Sequence, residues 1–549
     1  MYRIRFTAGG LSGLPDAVSQ KPWPQSYPNQ GDFHVVQCRV RKLAGSRSLR
    51  DRRSVTDPSG VQLTSIRLAW GCLLWFSSLL CADDLVVRSY PIGAFNSALE
   101  GQWQGTTVGS NGRVYFGVSS HTFGQGAAFF SFDPATQELA QLVPDLSRLC
   151  GEDPHEHPPQ GKIHSEIVEY RHHLWFGTHL AIYDSNTRSN YTGGHLVSYD
   201  LDAGQFRDWG ILRTNQSIYS GLALDAARGW LYVFTCPSIG NPFFYADEPA
   251  LAGEGCHLFR VDLNDGSRLD LGIVAPGGDA CLYLLVDAAG DCWFMPLGSG
   301  ELKRVRHDAI EVERVAPTGT QSLWSYVIPN PGSKTPLLAR GLRGQQRELL
   351  RFDPSRPFDT AFSSLGIISN FYVMAKAASR LYWTDSDTSG VSSERLLSLS
   401  VDAANLESVE IHGALIDQDG RRPMRLGGVT SDGHGHVYLV GDWFKRADEP
   451  GSIRNGEERP TVMRFAEVYL PALDDTLRLE ALGLDSEGHL RLRARGLGRV
   501  GYSLEVSSDL QVWERRLTLF GLKPVIEFVE PGSPVGPTGA RFFRIVGPR

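Results

Sequence analysis

Short apolar runs recur along the chain, each introduced by a polar turn. Six copies are plain: Asn111-Gly112-Arg113-Val114-Tyr115-Phe116-Gly117, Arg171-His172-His173-Leu174-Trp175-Phe176-Gly177, Ala227-Arg228-Gly229-Trp230-Leu231-Tyr232-Val233, Ala289-Gly290-Asp291-Cys292-Trp293-Phe294, Ser379-Arg380-Leu381-Tyr382-Trp383 and Gly435-His436-Val437-Tyr438-Leu439. A weaker copy runs from Thr335 to Arg340. A second element follows most copies, an alternating strand that ends in Asp: Phe130-Ser131-Phe132-Asp133-Pro134, Val197-Ser198-Tyr199-Asp200, Phe259-Arg260-Val261-Asp262, Leu350-Arg351-Phe352-Asp353-Pro354 and Leu399-Ser400-Val401-Asp402. Period-two alternation marks a half-buried strand, and Asp before Pro or Gly opens a hairpin turn. Long helical periodicity is absent.

Each copy reads as four antiparallel strands, A to D, and the copies repeat every 45 to 60 residues or so, a period that suits propeller blades with variable loops. Seven copies fit between Trp103 and Leu470. The strand from Leu85 to Pro91 precedes the first copy and is placed to complete the last blade, closing an edge that would otherwise invite pairing with other chains. The expectation is an all-β chain, a seven-bladed β-propeller over residues 83–470. A β-solenoid is the rival fold and needs shorter, more regular repeats. The pattern resembles the exported bacterial propellers of the YVTN, NHL and WD40-like repeat group, over roughly residues 85–470. That resemblance implies a fold and leaves function open.

Composition changes after Pro471. Leu477 to Arg495 alternates around Asp485-Ser486-Glu487-Gly488; Tyr502 to Leu510, Trp513 and Ala540 to Ile545 follow. Residues 471–549 resemble the small β-sandwich tails of exported bacterial proteins, which implies a stable appendage or a role in attachment to the cell surface.

The start of the chain reads differently. Residues 1–64 lack sustained periodicity and are basic from Arg39 to Arg53. Residues 65–82 carry Arg67, a short apolar run and Ala82 before two acids, a signal-peptide pattern too short for a comfortable span. Its distance from Met1 points to translation beginning near Val61 or Leu63; the alternative is a true tail ahead of a signal anchor. Leu79-Leu80-Cys81 hints at a lipoprotein site, but Leu80 is large for that position. A secreted, periplasmic or envelope protein with no transmembrane span in its mature form is expected. Export permits disulfides. Cys236 and Cys256 flank one hairpin as the candidate pair, with buried thiols as the alternative. No CxxC pair signals a zinc ribbon.

A net charge of -7 without a basic stripe in the folded part argues against nucleic acid as partner. Propeller geometry brings the starts of strands A and C and the ends of B to one face, where loops surround a central funnel. His164 begins strand A of the second blade, His179 ends its strand B, His195 begins its strand C, and His121 lies just past strand B of the first. Gly193 and Gly194 would let backbone approach a ligand.

Two chemistries follow. His121, His179 and His195 could hold a divalent metal. Alternatively His164 or His195 serves as general base, with Tyr191 or Tyr219 as acid. Trp103, Gln104, Trp324, Tyr326, Tyr372, Asp385, Asp442 and Trp443 add the aromatic and acidic groups that suit sugars; packing between blades competes for the aromatics. Oligogalacturonate lyases are similar in joining a seven-bladed propeller to a His-rich metal site, without a residue-by-residue match, and streptogramin lyases show no diagnostic match. Cys150-Gly151-Glu152-Asp153-Pro154-His155-Glu156-His157 looks metal-like but sits in a Pro-rich stretch expected to be solvated. No Walker loop, nucleophile elbow or Rossmann fingerprint is present. The leading expectation is an exported propeller acting on or binding a carbohydrate or other small polar ligand, most concretely a polysaccharide lyase. The alternatives are a non-catalytic glycan- or protein-binding propeller and a structural envelope protein.

Overall fold

The computed structural model describes residues 84–546 apart from 183–189, 238–253, 276–280, 282, 297–300, 318–323, 329–334, 342–345, 370, 378–379, 387–393, 455, 471–477, 485–488, 496–501, 508–513, 520–524 and 530–541. The expected signal peptide at 65–82 and the segment before it lie outside the described residues. No helix among the described residues is long and apolar enough to cross a membrane.

The fold is all-β with a propeller-like arrangement of sheets. The first sheet holds Thr106–Val108, Val114–Val118, Ala128–Asp133 and Glu138–Val143; the second holds Val168–Tyr170, His173–Gly177, His195–Asp200 and Gln205–Ile211. The third gathers Gln216–Ser217, Leu222–Asp225, Trp230–Pro237, Cys256–Asp262 and Arg268–Ala275. The fourth spans Leu284–Pro317 and the fifth Trp324–Ser369, four strands each, so the weak copy at Thr335–Arg340 belongs to a full four-stranded sheet. Where the sequence predicts seven separate blades, five copies form sheets of their own. The last two share one eight-stranded sheet.

The cause is the strand Asp84–Pro91, which bonds on both edges. Arg88 to Pro91 run antiparallel to Arg464–Glu467, and Asp84 to Val87 run parallel to Ala414–Asp417. A buried network fixes the join. Arg464 Nε donates to Ser89 Oγ, which donates to Asp417 Oδ2, both at 2.8 Å. The Gln418 amide pairs with both backbone groups of Ser89. Each polar group buried here has a partner, which removes the penalty an orphan would carry.

Stacked aromatics join the sheets. Phe116 stacks on Phe465 at 5.0 Å, and Phe129 stacks on Phe176 at 5.0 Å. The glycines that follow the first two aromatic runs serve the packing between copies. A Cβ on Gly117 would lie 2.8 Å from Ile163, and one on Gly177 only 2.2 Å from Ile218. Each glycine thus opens the space for an isoleucine of the next copy. The Asp endings behave as their chemistry predicts. Asp133, Asp200, Asp262 and Asp353 side chains accept from backbone N–H groups two residues on. At Asp402 the relation differs: its own N–H donates to Ser400 Oγ.

Cys236 and Cys256 are buried in one cluster with Cys281, Cys292 and Phe234. Beyond residue 477 lie two three-stranded sheets. Arg478–Leu484, Leu490–Arg495 and Val525–Val529 form one; Glu514–Leu519, Tyr502–Ser507 and Phe542–Val546 form the other.

Candidate functional site

Glu100 to Gly105 enter the first sheet between two strands. Glu100 N–H donates to Ser119 O at 2.8 Å and Gln104 N–H to Gly427 O at 2.9 Å. Gln104 is held at φ 64°, a left-handed conformation that is strained for a residue with a Cβ and persists where the surrounding structure over-determines it. Its side chain donates to the Tyr283 hydroxyl, near the fourth sheet.

Around this segment a compact polar cluster assembles. His121 Nδ1 contacts Glu100 Oε1, and both residues are buried. Lys162 and His179 exchange backbone hydrogen bonds at 3.0 Å, which places the ends of two strands side by side. The Lys162 ammonium lies 4.4 Å from the Trp103 ring centroid, and the Arg425 guanidinium 4.8 Å. His164 stacks against Trp103 at 6.3 Å and packs on Tyr219 at 4.4 Å; His179 meets Tyr219 edge-on at 4.8 Å. The Ser220 hydroxyl lies 2.8 Å from His164 Nδ1. Arg425 donates to Asp442 Oδ2 at 2.7 Å.

Burial sets the protonation of these groups. It pulls Lys162 down to about 7, against the attraction of Glu100 and with repulsion from Arg454 and Arg425. Burial, reinforced by Lys162, brings His164 down to about 3 and holds His121 and His179 well below the usual histidine range. These imidazoles are neutral at pH 7. Burial also raises Glu100 and Asp442, opposed by Arg454, Arg425 and Arg459 at Glu100 and by Arg425 and Arg459 at Asp442. An amine near 7 can accept a proton at neutral pH, which a free lysine cannot.

Of the residues the sequence singles out, His121, His164, His179, Tyr219, Trp103, Gln104 and Asp442 take part in this cluster. His195 and Tyr191 have other partners. His195 Nδ1 lies 3.0 Å from both Asp208 oxygens, and Nε2 lies 3.0 Å from Glu152 Oε1. Burial opposes charge on His195, but Asp208, Cys150 and Glu152 outweigh it and push the imidazole up to about 11. The Tyr191 hydroxyl donates to Gln160 at 2.7 Å. Thus His121 and His179 share one cluster through Trp103 and His164, while His195 has a separate set of contacts, so the three do not gather around one ion. Among the described residues, the donor atoms close enough to share an ion are those of Cys150, His195 and Asp208, within 4.8 Å of one another.

Asp385 is held by Arg395 in a two-pronged pair at 3.0 and 2.9 Å. Trp443 is fully buried in the large core cluster. Trp324 and Tyr326 lie on Trp324–Ile328 and Tyr372 on Phe371–Ala377, with side chains outside the described set. The sequence reading missed Glu100, Lys162, Ser220 and Arg425. Lys162 had a signal: a lysine two residues before His164 at the mouth of an apolar strand.

No family model matches the chain, and no curated protein matches it. Three of the solved structures that are similar in outline are these. An oligogalacturonate lyase in complex with manganese has a TM-score of 0.44 at 11% identity, covering 71% of this chain and 98% of that one. A GH74 enzyme of Niastella koreensis has a TM-score of 0.43 at 9% identity, covering 73% and 59%. A streptogramin B lyase has a TM-score of 0.41 at 11% identity, covering 70% and 97%. Likenesses this distant assign neither activity nor ligand to this chain.

Proposed function

We propose that this chain is an exported seven-bladed propeller acting on an acidic carbohydrate, by eliminative cleavage at the cluster around Lys162. In this reading the eight-stranded sheet is two blades fused through Asp84–Pro91, residues 65–82 are a signal peptide, and residues 471–549 fold as a β-sandwich that serves attachment.

The observation that carries the function is a surplus of cations in a protein of net charge -7. Lys162, Arg425, Arg454 and Arg459 all act on the buried Glu100. Asp442 and Glu394 also face Arg425, and burial raises all three carboxylates towards neutrality. A substrate carboxylate would restore the balance and lower the acidity barrier of its α-hydrogen. Lys162 Nζ then accepts the α-proton, the C–O bond one carbon away breaks, a C=C bond forms, and the Tyr219 hydroxyl gives a proton to the departing oxygen. His164 and His179 stay neutral beside Lys162 and so do not add a competing charge. Trp103 holds the two cations at its ring, which casts it as an orienting group rather than an open stacking platform.

The test is ultraviolet absorbance of unsaturated products from a panel of polyuronates, with wild type, Lys162→Met and His164→Ala. Turnover by wild type and at least a hundredfold loss in Lys162→Met support the reading. Ligand binding without product in any protein would move the function to a non-catalytic glycan-binding propeller.

A further inference from the structure

A second group of chemically active side chains lies apart from the Lys162 cluster. Asp145 caps the short helix Leu146–Leu149, accepting from Ser147 and Arg148 N–H, and Cys150 ends it. His195 opens a strand, and Asp208 lies on its neighbour. Their register slips between His195 and Val197, a bulge that turns Asp208 towards the imidazole. Thr192 and Gln160 donate to Glu152, and Gly210 N–H to Asp208, so both carboxylates are held in place.

The third sheet contains a twin that isolates what is special here. His257 Nδ1 lies 2.9 and 3.0 Å from the Asp270 oxygens, at the same bulge, with Gly272 N–H donating to Asp270. The spacing is 13 residues in both pairs. The His–Asp pair is therefore a repeat feature of the sheets. In the second sheet Cys150 and Glu152 join it.

That addition changes the chemistry. If the Nε2–H of His195 donates to Glu152, the Nδ1 lone pair faces two Asp208 oxygens at 3.0 Å, acceptor against acceptor. A second imidazole proton fills that gap when no ion is bound, and a divalent ion can replace it because a thiol stands within reach. We propose that Cys150 Sγ, His195 Nδ1 and an Asp208 oxygen bind one zinc-class divalent ion, with Glu152 fixing the imidazole tautomer from the far side. Sulfur, nitrogen and oxygen donors together suit zinc rather than calcium or magnesium. A carboxylate on the far nitrogen of a ligating histidine is the usual orienting arrangement. Asp208 keeps 25% of its side-chain surface exposed, which gives an ion a route in and leaves a coordination position for water. Binding displaces the Cys150 proton and the proton that His195 carries on Nδ1 to solvent.

The experiment measures zinc by elemental mass spectrometry after equilibration with zinc and desalting, alongside cobalt substitution. The expected result is one equivalent of zinc in the wild-type chain and a thiolate-to-cobalt charge-transfer band. Cys150→Ser abolishes that band, and Glu152→Gln weakens zinc affinity about tenfold or more. His257→Ala and His164→Ala keep full zinc, which separates this site from both the twin pair and the Lys162 cluster. A wild-type protein that binds no zinc, or a cobalt derivative without the thiolate band, overturns the proposal, and the cobalt spectrum does so even where Cys150→Ser fails to fold. In that case a proton alone bridges His195 and Asp208.

Discussion

Replacing Lys162 by Met should stabilise the protein at acidic and neutral pH. A lysine free in the unfolded chain titrates at 10.5, whereas burial brings Lys162 down to about 7. The folded state therefore binds the proton less tightly than the unfolded state. Stability contributed by the neutral amine is complete above 10.5 and is lost as pH falls through 7. At about 1.4 kcal/mol per pKa unit, the full cost of keeping Lys162 charged reaches about 5 kcal/mol below pH 6. Losing the contact with Trp103 returns about 1 kcal/mol of that. Methionine, similar in length and able to lie against the Trp103 ring, should thus raise stability at pH 6 by about 4 kcal/mol, with the gain shrinking as pH approaches 10. Urea unfolding of both proteins at a series of pH values measures this. A Lys162→Met protein that is less stable at pH 6, or a difference that does not change with pH, would refute the placement of a dehydrated amine at this position.

Glu394 offers the opposite sign. Burial raises it to about 7, so stability present below its unfolded value is lost as pH rises through 7; Glu394→Gln should gain up to about 3 kcal/mol at pH 8 and little at pH 4, read from the same unfolding series. Gly177→Ala should cost about 1–3 kcal/mol by driving a methyl into Ile218, seen as a lowered thermal midpoint with zinc content unchanged.

Much of the fold was legible because it rests on local rules. Alternating strands, aromatic runs and Asp-led turns each act over a few residues, and they recur. The joining of the last two copies was harder to foresee. It depends on Asp84–Pro91 finding a parallel partner in Glu410–Asp417, more than 300 residues away in sequence, and on Ser89, Asp417 and Arg464 meeting in the core.

The candidate site divides in the same way. Histidines at strand ends could be placed near one another from sequence, since strand ends must gather at a face. Which histidines share contacts was not readable, because it turns on bulges and side-chain direction. The bulge after His195 sends that ring to Asp208 and Glu152, while His164 and His179 meet at Tyr219. Lys162 escaped notice because lysine is ordinarily a surface residue, and only burial converts it into a group that titrates near neutrality.

The most direct test of the functional account is the pH dependence of turnover on polyuronates. The account expects eliminative product whose rate rises with pH and levels off above about 7, as Lys162 loses its proton, and expects that rise to vanish with the activity in Lys162→Met. Turnover that is flat across pH 7, or that survives in Lys162→Met, would contradict it.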